Sequence, residues 1–259
     1  MDDYKTSSFG QNFRLDRQFL KDSIRQAVDF SLTDQSRGVA APAIEKPCSA
    51  DAKRVDLPKP GDWKIPAKDL AQAIANRRSR RDFLQQSLSL DELAFLLWAT
   101  QGIREPKKAG RNFRTVPSAG CRHAFETYIL VLNIQGLAYG IYRYLPTTHQ
   151  LHFEFSVEHL PARIAQATLN QRFSAAAAAV FVWTALPYRM EWRYGPASYK
   201  VIAIDVGHVC QNLYLACEAI SAGTCAVAAY DQDALDALLK LDGEDEFTIY
   251  LAPVGKVKD

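Results

Sequence analysis

The sequence predicts an α+β fold, and three observations carry that expectation. Helical and strand-like periods mix irregularly along the chain, without the regular βαβ alternation of a doubly wound sheet. Residues 140–155 alternate in the strand manner about a Pro-containing turn, which reads as a β-hairpin. A long pattern from Val201 to Ser221 is nearly apolar all round, marking a helix buried in the core or across a subunit interface.

The totals fit a globular enzyme-sized chain. At 259 residues and 48% hydrophobic content there is material for a sizeable core. Net charge is only +2, so basic clusters are local features and the broad cationic face of a nucleic-acid binder is not expected. No apolar run reaches transmembrane length, and Met1-Asp2-Asp3-Tyr4-Lys5 lacks a signal peptide's apolar segment. The five cysteines are odd in number and widely spread, with no disulfide framework or CxxC knuckle, which reads as a reducing cytoplasm.

In chain order, Phe9 to Phe30 can hold a short helix around Phe19, Ile24 and Val28. From Ser36 to Pro66 prolines recur with little periodicity, so residues 1–66 read as a partly extended N-terminal arm. It is either a disordered tail or a segment wrapping over a partner. The main domain is placed at 67–259. Lys68 to Asn76 puts Leu70, Ala71, Ile74 and Ala75 on one helical face, with Arg77 and Arg78 at its C-terminal end. Ser89-Leu90-Asp91-Glu92 is a capping box opening a second helix, with Leu93, Leu96 and Leu97 inward and Gly102 just past the end.

Lys107 to Asn112 is a basic, glycine-containing loop, and Pro117-Ser118-Ala119-Gly120 a tight turn ahead of a strand through Tyr128 to Leu132. After the hairpin, Leu160 to Leu169 reads as a helix and Val180 to Thr184 as a buried strand. Arg189 to Tyr199 reads as irregular, or as a substrate-side lid. Gly223 is expected to cap the long helix, Cys225 to Tyr230 to form a strand, Ala234 to Leu239 a helix, and Phe247 to Val254 the final strand before Gly255-Lys256.

The stretch that asks for a ligand is Asn76-Arg77-Arg78-Ser79-Arg80-Arg81-Asp82-Phe83, with four arginines in five positions around a hydroxyl. Forked guanidinium donors match phosphate oxygens, and so dense a cluster repels itself unless solvent or an anion screens it. It is a solvated basic turn or a phosphate site. No GxGxxG follows a strand and no GxxxxGK[ST] is present, so side chains would have to hold any phosphate. His208, Cys210, Cys217 and Cys225 form the one soft-ligand grouping. Cysteines in an apolar helix are ordinarily core residues, so no metal site is expected. Nothing in the spacing supports Ser118 as a nucleophile with His123 or His208 as base.

These residues carry a resemblance. Arg77-Arg78-Ser79-Arg80-Arg81-Asp82-Phe83 resembles the RRSxRxF signature of the nitroreductase-like flavoproteins, and Arg114-x-x-Pro117-Ser118-Ala119-Gly120 resembles the R-x-x-PSAG loop of that family. Gly140-Ile141-Tyr142-Arg143-Tyr144, Asp205-Val206-Gly207-His208-Val209-x-Gln211-Asn212-Leu213 and Tyr250-Leu251-x-Pro253-Val254-Gly255-Lys256 resemble motifs of its SagB-type dehydrogenase branch, which includes azoline oxidases of modified peptides. The motifs fall in order from about residue 36 to the C-terminus.

The resemblance implies a mostly antiparallel central sheet flanked by helices, and an intertwined homodimer with FMN at the interface. Arg77, Arg78, Ser79 and Arg81 would hold the ribityl phosphate, with Arg80 out of the signature and solvated. Pro117, Ser118, Ala119 and Gly120 would meet the flavin of the other subunit, and Asn170 or Gln171 would supply an amide to it. Gly223, Thr224, Cys225 and Ala226 would run past the isoalloxazine with a backbone N–H near N5, and Lys256 would approach the phosphate or pyrimidine end. The chain stops at Asp259 without the later arginine many members use, which leaves the phosphate to the 77–81 cluster. Trp183, Arg189, Trp192, Tyr194 and Tyr199 are candidates for the substrate face. The flavin carries the hydride chemistry, so no separate catalytic residue is named. The implied activity is dehydrogenation of a ring or Cα–Cβ bond in a peptide-like or small organic substrate. The alternatives are an NAD(P)H-dependent nitro or quinone reductase and a flavin-binding protein without turnover.

Overall fold

The structure is a computed structural model that describes residues 17–106 and 112–258. The first part of the helix expected from Phe9 lies outside them, as does most of the basic loop at 107–112. From Arg17 to Leu32 the chain makes a one-turn α-helix at Ile24–Ala27, where a short helix is expected, between 3₁₀ turns at Arg17–Leu20 and Phe30–Leu32.

The central element is a seven-stranded sheet, antiparallel at every pairing. Its strands are β1 (Arg54–Asp56), β4 (Phe125–Val131), β5 (Gly140–Leu145), β6 (Gln150–Phe155), β7 (Ala179–Ala185), β8 (Ala222–Thr224) and β9 (Phe247–Lys256). They lie in the order β1-β6-β5-β4-β7-β9-β8, and β2 (Ile103–Pro106) with β3 (Asn112–Arg114) forms a separate ribbon. The helices are α1 (Leu70–Asn76), α2 (Leu90–Gln101), α3 (Leu160–Ala167), α4 (Tyr188–Tyr194), α5 (Ser198–Ala219) and α6 (Gln232–Leu239).

Period-two alternation splits the core by sheet face. Phe181 and Trp183 of β7 point with Ile129 of β4 toward α2 and α5, joining Leu93, Leu96, Leu97, Val206 and Leu213. Val180 and Val182, with Tyr128 and Leu130, point the other way onto Leu160 and Ile164 of α3 and Leu235 and Leu238 of α6. Helices on both faces leave β7 buried at all its positions, so its sequence is an unbroken apolar run apart from Thr184.

The capping box forms as expected, with the Glu92 N–H on Ser89 Oγ at 3.2 Å and the Ser89 N–H on Glu92 Oε2 at 2.9 Å. Gly102 follows the helix, but at φ −61° it makes no left-handed cap. A Cβ there would lie 2.3 Å from Trp98 Cδ1, so close approach is what requires the glycine. The expected hairpin is β5–β6, paired through Leu145↔Gln150.

The described part of the arm lies on its own chain. β1 adds to the sheet edge through Val55↔Leu151. The Lys46 N–H donates to Glu126 Oε1 at 2.8 Å, and Arg143 Nη1 donates to the Lys46 carbonyl at 2.9 Å. Trp63 packs on Phe95 and Trp98 of α2 with ring centroids 5.5 and 5.3 Å away.

Two boundaries differ from expectation. Arg189 to Tyr199 is α4 and a following turn that runs into α5, because Met190 and Trp192 bury against the core while Arg189 pairs with Glu126 at 2.5 Å. The strand near 225 is instead β8 at Ala222–Thr224, and Val227 contributes only a single bridge to Leu251. Gly223 therefore sits in a strand opposite Gly255 rather than capping α5, whose end is at Ile220.

Candidate functional site

α1 ends at Arg77, and the chain leaves it extended along the short edge strand β8. Ser79 forms a parallel bridge with Thr224, and the Arg80 N–H donates to the Thr224 carbonyl at 2.9 Å. A Cβ on Gly223 would lie 2.5 Å from the Arg80 Cβ, so the glycine is what lets the arginine segment sit against the sheet edge. The predicted 77–81 cluster and the predicted 223–226 segment are thereby one structural unit.

Each cation has its own setting. The Arg77 guanidinium lies 5.4 Å above the Tyr214 ring and that of Arg81 5.7 Å from the Phe173 ring. Arg78 Nη1 donates to the carbonyls of Ala75 and Arg77, both at 2.9 Å, satisfying the helix end. Ser79, Arg80 and Arg81 line a half-open cavity of about 580 Å³ together with Asp82, Phe83, Leu84, Val257 and Lys258. Arg80 and Lys258 also line an adjoining cavity of about 320 Å³, where Lys68, Arg78 and Glu218 join them. Arg80, expected to be solvated, is half-buried and lines both cavities, with the start of its side chain lying against Gly223. Among the described residues, none of Lys68, Arg77, Arg78, Arg80, Arg81 and Lys258 forms an ion pair with a carboxylate.

One tyrosine ties this corner together. Tyr214 of α5 lies within hydrogen-bond distance of Ser79 Oγ at 3.1 Å and accepts the Ala226 N–H at 2.8 Å. The Ala226 N–H is thus committed within the fold rather than presented to a ligand. Gln171 Nε2 donates to the Ala229 carbonyl at 2.7 Å, while Asn170 is exposed in the left-handed region at φ 61°. Phe173, under Arg81, brings this turn to the arginine cluster.

Lys256, expected at the phosphate or pyrimidine end of the cofactor, is engaged within the fold. Its ammonium reaches Glu92 Oε1 at 2.5 Å and the Ile220 carbonyl at 2.6 Å. It pins the end of β9 to the start of α2 and the end of α5, and both contacts draw the charge inward.

The Pro117–Gly120 loop forms a second unit. Arg114 is buried against Gln101 Oε1 at 2.7 Å and the Ile44 carbonyl at 2.9 Å, and burial lowers its pKa to about 10. The His123 N–H donates to Ser118 Oγ at 2.9 Å, and the Ala119 N–H to Asp205 Oδ2 at 3.2 Å. Burial raises the Asp205 pKa against its hydrogen bonds from the loop. Gly120 sits at φ 58°, and a Cβ there would meet Tyr194 Oη at 2.6 Å. Asp205 and Tyr214 are nine residues apart on α5, roughly 13 Å along the helix axis. The loop and the arginine cluster therefore dock on different stretches of that helix.

Of the substrate-face candidates, Trp183, Arg189 and Trp192 are core residues, and Trp192 lies under the Arg122 guanidinium at 4.7 Å. Tyr194 contacts the Gly120 loop and Tyr199 is exposed. Among the described residues no group of histidine, cysteine and carboxylate side chains is placed to hold a metal, and burial pushes the Cys210 thiol up to about 12. No described helix is long and apolar enough to cross a membrane.

Asp205, Tyr214 and Lys258 were not legible as site residues from spacing. The available signal was polarity: Asp205 is the acid in the first half of a helix that is otherwise nearly apolar, and such a residue needs a partner.

The chain is similar to known proteins in sequence and in fold. The nitroreductase family model matches residues 74–256. A protein of Methanocaldococcus jannaschii named as a nitroreductase is 33% identical over 187 residues, covering 72% of this chain and 90% of that one. The trifolitoxin-processing protein TfxB of Rhizobium leguminosarum bv. trifolii is 30% identical over 167 residues, 61% of this chain and 45% of that protein, so the chain spans less than half of it. A crystal structure of a nitroreductase-type protein from Ralstonia eutropha JMP134 superposes with a TM-score of 0.66 at 24% identity, covering 85% of this chain and 95% of that one. A chain of the E. coli microcin synthetase McbBCD complex, solved with truncated pro-MccB17 bound, superposes at 0.60 with 18% identity, covering 98% and 100%. These two superpositions speak to the fold.

Proposed function

We propose, from the premise that this chain belongs to the nitroreductase family of oxidoreductases, that it binds FMN with the phosphate held by the 77–81 cluster. Members of the family generally use FMN and NAD(P)H and are typically homodimeric. The observation that carries the reading for this chain is the excess of cations around the two adjoining cavities beside Ser79 and β8: Lys68, Arg78, Arg80, Arg81 and Lys258 against Asp82 and Glu218, with no ion pair formed by any of them among the described residues. A phosphate monoester brings close to two negative charges and three acceptor oxygens, the complement of such a donor set. The tight seat of Arg80 on Gly223 fits the same group, since it holds cationic donors and a backbone edge in register.

In this arrangement Ser79, Arg80 and Arg81 bind the phosphate, with Lys258 alongside, and Arg77 is oriented by Tyr214. The 223–226 segment supplies the backbone wall past which the ring system runs. FMN, when bound, supplies two-electron hydride chemistry at N5. The Pro117–Gly120 loop, held by Asp205 well along α5 from the cluster, is suited to a site completed by a second copy of the chain. We read the activity as SagB-type dehydrogenation of a ring or Cα–Cβ bond in a peptide-like or small organic substrate. Similarity to a trifolitoxin-processing protein supports this. Reduction of nitro compounds or quinones with NAD(P)H is the second reading, supported by the M. jannaschii relative.

Anaerobic mixing of the FMN-loaded protein with NADH or NADPH separates the two. Absence of bleaching by either nucleotide, together with bleaching by an azoline-containing peptide, is the expected result. Rapid bleaching by a nicotinamide nucleotide favours the reductase, and a protein that takes up no FMN refutes both.

A further inference from the structure

We infer that Tyr214 is a positioning residue that couples the phosphate end of the cofactor site to the backbone segment along the flavin edge. The inference rests on the FMN reading above. Three contacts converge on this one half-buried side chain: the Ser79 hydroxyl at 3.1 Å, the Ala226 N–H at 2.8 Å and the Arg77 guanidinium 5.4 Å over the ring. Ser79 and Arg77 belong to the cluster before β4, and Ala226 to the segment after β8. No backbone bond joins Ala226 to that cluster among the described residues; the nearest is Arg80 to Thr224.

Hydroxyl valence gives the arrangement a direction. A tyrosine oxygen has one hydrogen and accepts through its lone pairs. The Ala226 N–H can only donate, so Tyr214 accepts from it, and the tyrosine's own hydrogen is available to Ser79 Oγ. With Tyr214 as the donor of that pair, Ser79, which lines the larger cavity, would keep its own hydrogen. A phosphate oxygen placed there would receive it. The same bond occupies the Ala226 N–H, so any backbone donor to the flavin edge would come from another residue of the segment. Tyr214 therefore sets a donor at one end of the cofactor and a backbone orientation at the other.

Tyr214→Phe tests this, because it keeps the ring beneath Arg77 and removes both hydrogen bonds. FMN dissociation constants are read from flavin fluorescence quenching for the wild type, Tyr214→Phe, Ser79→Ala and the double variant, with thermal unfolding midpoints recorded alongside. Each single variant is expected to bind FMN roughly ten-fold more weakly, and the double variant no more weakly than about either single one, because one path is being cut twice. The reduction potential of the bound flavin should move in Tyr214→Phe, through the freed Ala226 N–H, and stay put in Ser79→Ala. Wild-type affinity in Tyr214→Phe, or fully additive losses in the double variant, overturns the inference while the FMN reading stands. Failure of the wild type to bind FMN overturns both. If Tyr214→Phe does not fold, Ser79→Ala decides alone: unchanged FMN affinity in it refutes the hydroxyl relay.

Discussion

His123 makes the fold acid-labile by an amount that follows from its surroundings. Its side chain is buried beside the Pro117–Gly120 loop, with Arg114, Arg122 and Arg189 near it, and burial first and those cations second push its pKa down to about 3. An unfolded histidine titrates near 6.5. Below that pH the unfolded chain takes up a proton that the fold refuses, so the contribution is full above pH 6.5 and is lost as pH falls toward 3. At about 1.4 kcal/mol per pH unit, the full gap amounts to about 5 kcal/mol, of which about 3 kcal/mol falls between pH 7 and pH 4. His123 has φ 48°, so Asn, which tolerates the left-handed region, is the substitution of choice. Urea unfolding of wild type and His123→Asn at pH 7 and pH 4 measures the difference. The wild type should lose about 3 kcal/mol more than the variant over that interval. Equal losses would show that His123 is protonated in the folded protein and refute the reasoning.

Further outcomes concern the core and the site. Glu126→Ala leaves the buried Arg143 and Arg189 guanidiniums without their shared carboxylate; it should cost about 3–5 kcal/mol and lower Tm by on the order of 10 °C in a thermal melt. Gly223→Ala places a Cβ 2.5 Å from that of Arg80; FMN affinity in a fluorescence titration should fall at least roughly ten-fold as the cluster is pushed off the sheet edge. Lys256→Met removes the tie to Glu92 and Ile220; it should destabilise by about 1–3 kcal/mol while FMN affinity stays within about two-fold of wild type. Loss of FMN from a stably folded Lys256→Met would restore the phosphate role to that lysine.

The parts of the fold legible in the sequence are those written locally. Ser89 and Glu92 lie within one helical turn of each other, so their capping box can be read from spacing alone, and the alternation from Gly140 to Phe155 announces its own hairpin. Elements defined by distant partners were not legible. β1 is a strand because β6 offers an edge to it, and Ala222–Thr224 is one because β9 runs beside it; neither carries a periodic signal of its own. Gly223 looked like a helix stop because it follows a long apolar helix, yet what requires glycine there is Arg80, well over a hundred residues earlier. The same holds for the site. The arginine cluster was conspicuous by density, whereas Tyr214 gains its place only when α5 packs under it. Lys256 stood in a suggestive motif but had a carboxylate and a carbonyl waiting in the fold.

Whether the cluster is a phosphate clamp is tested most directly by titrating the flavin-free protein with FMN and with riboflavin, which differ by the phosphate alone. Several charge-assisted hydrogen bonds predict that FMN binds at least about 100-fold more tightly, and that an Arg80→Ala, Arg81→Ala double variant erases most of that preference while its riboflavin affinity is unchanged. Equal affinity of the wild type for the two flavins would contradict the account.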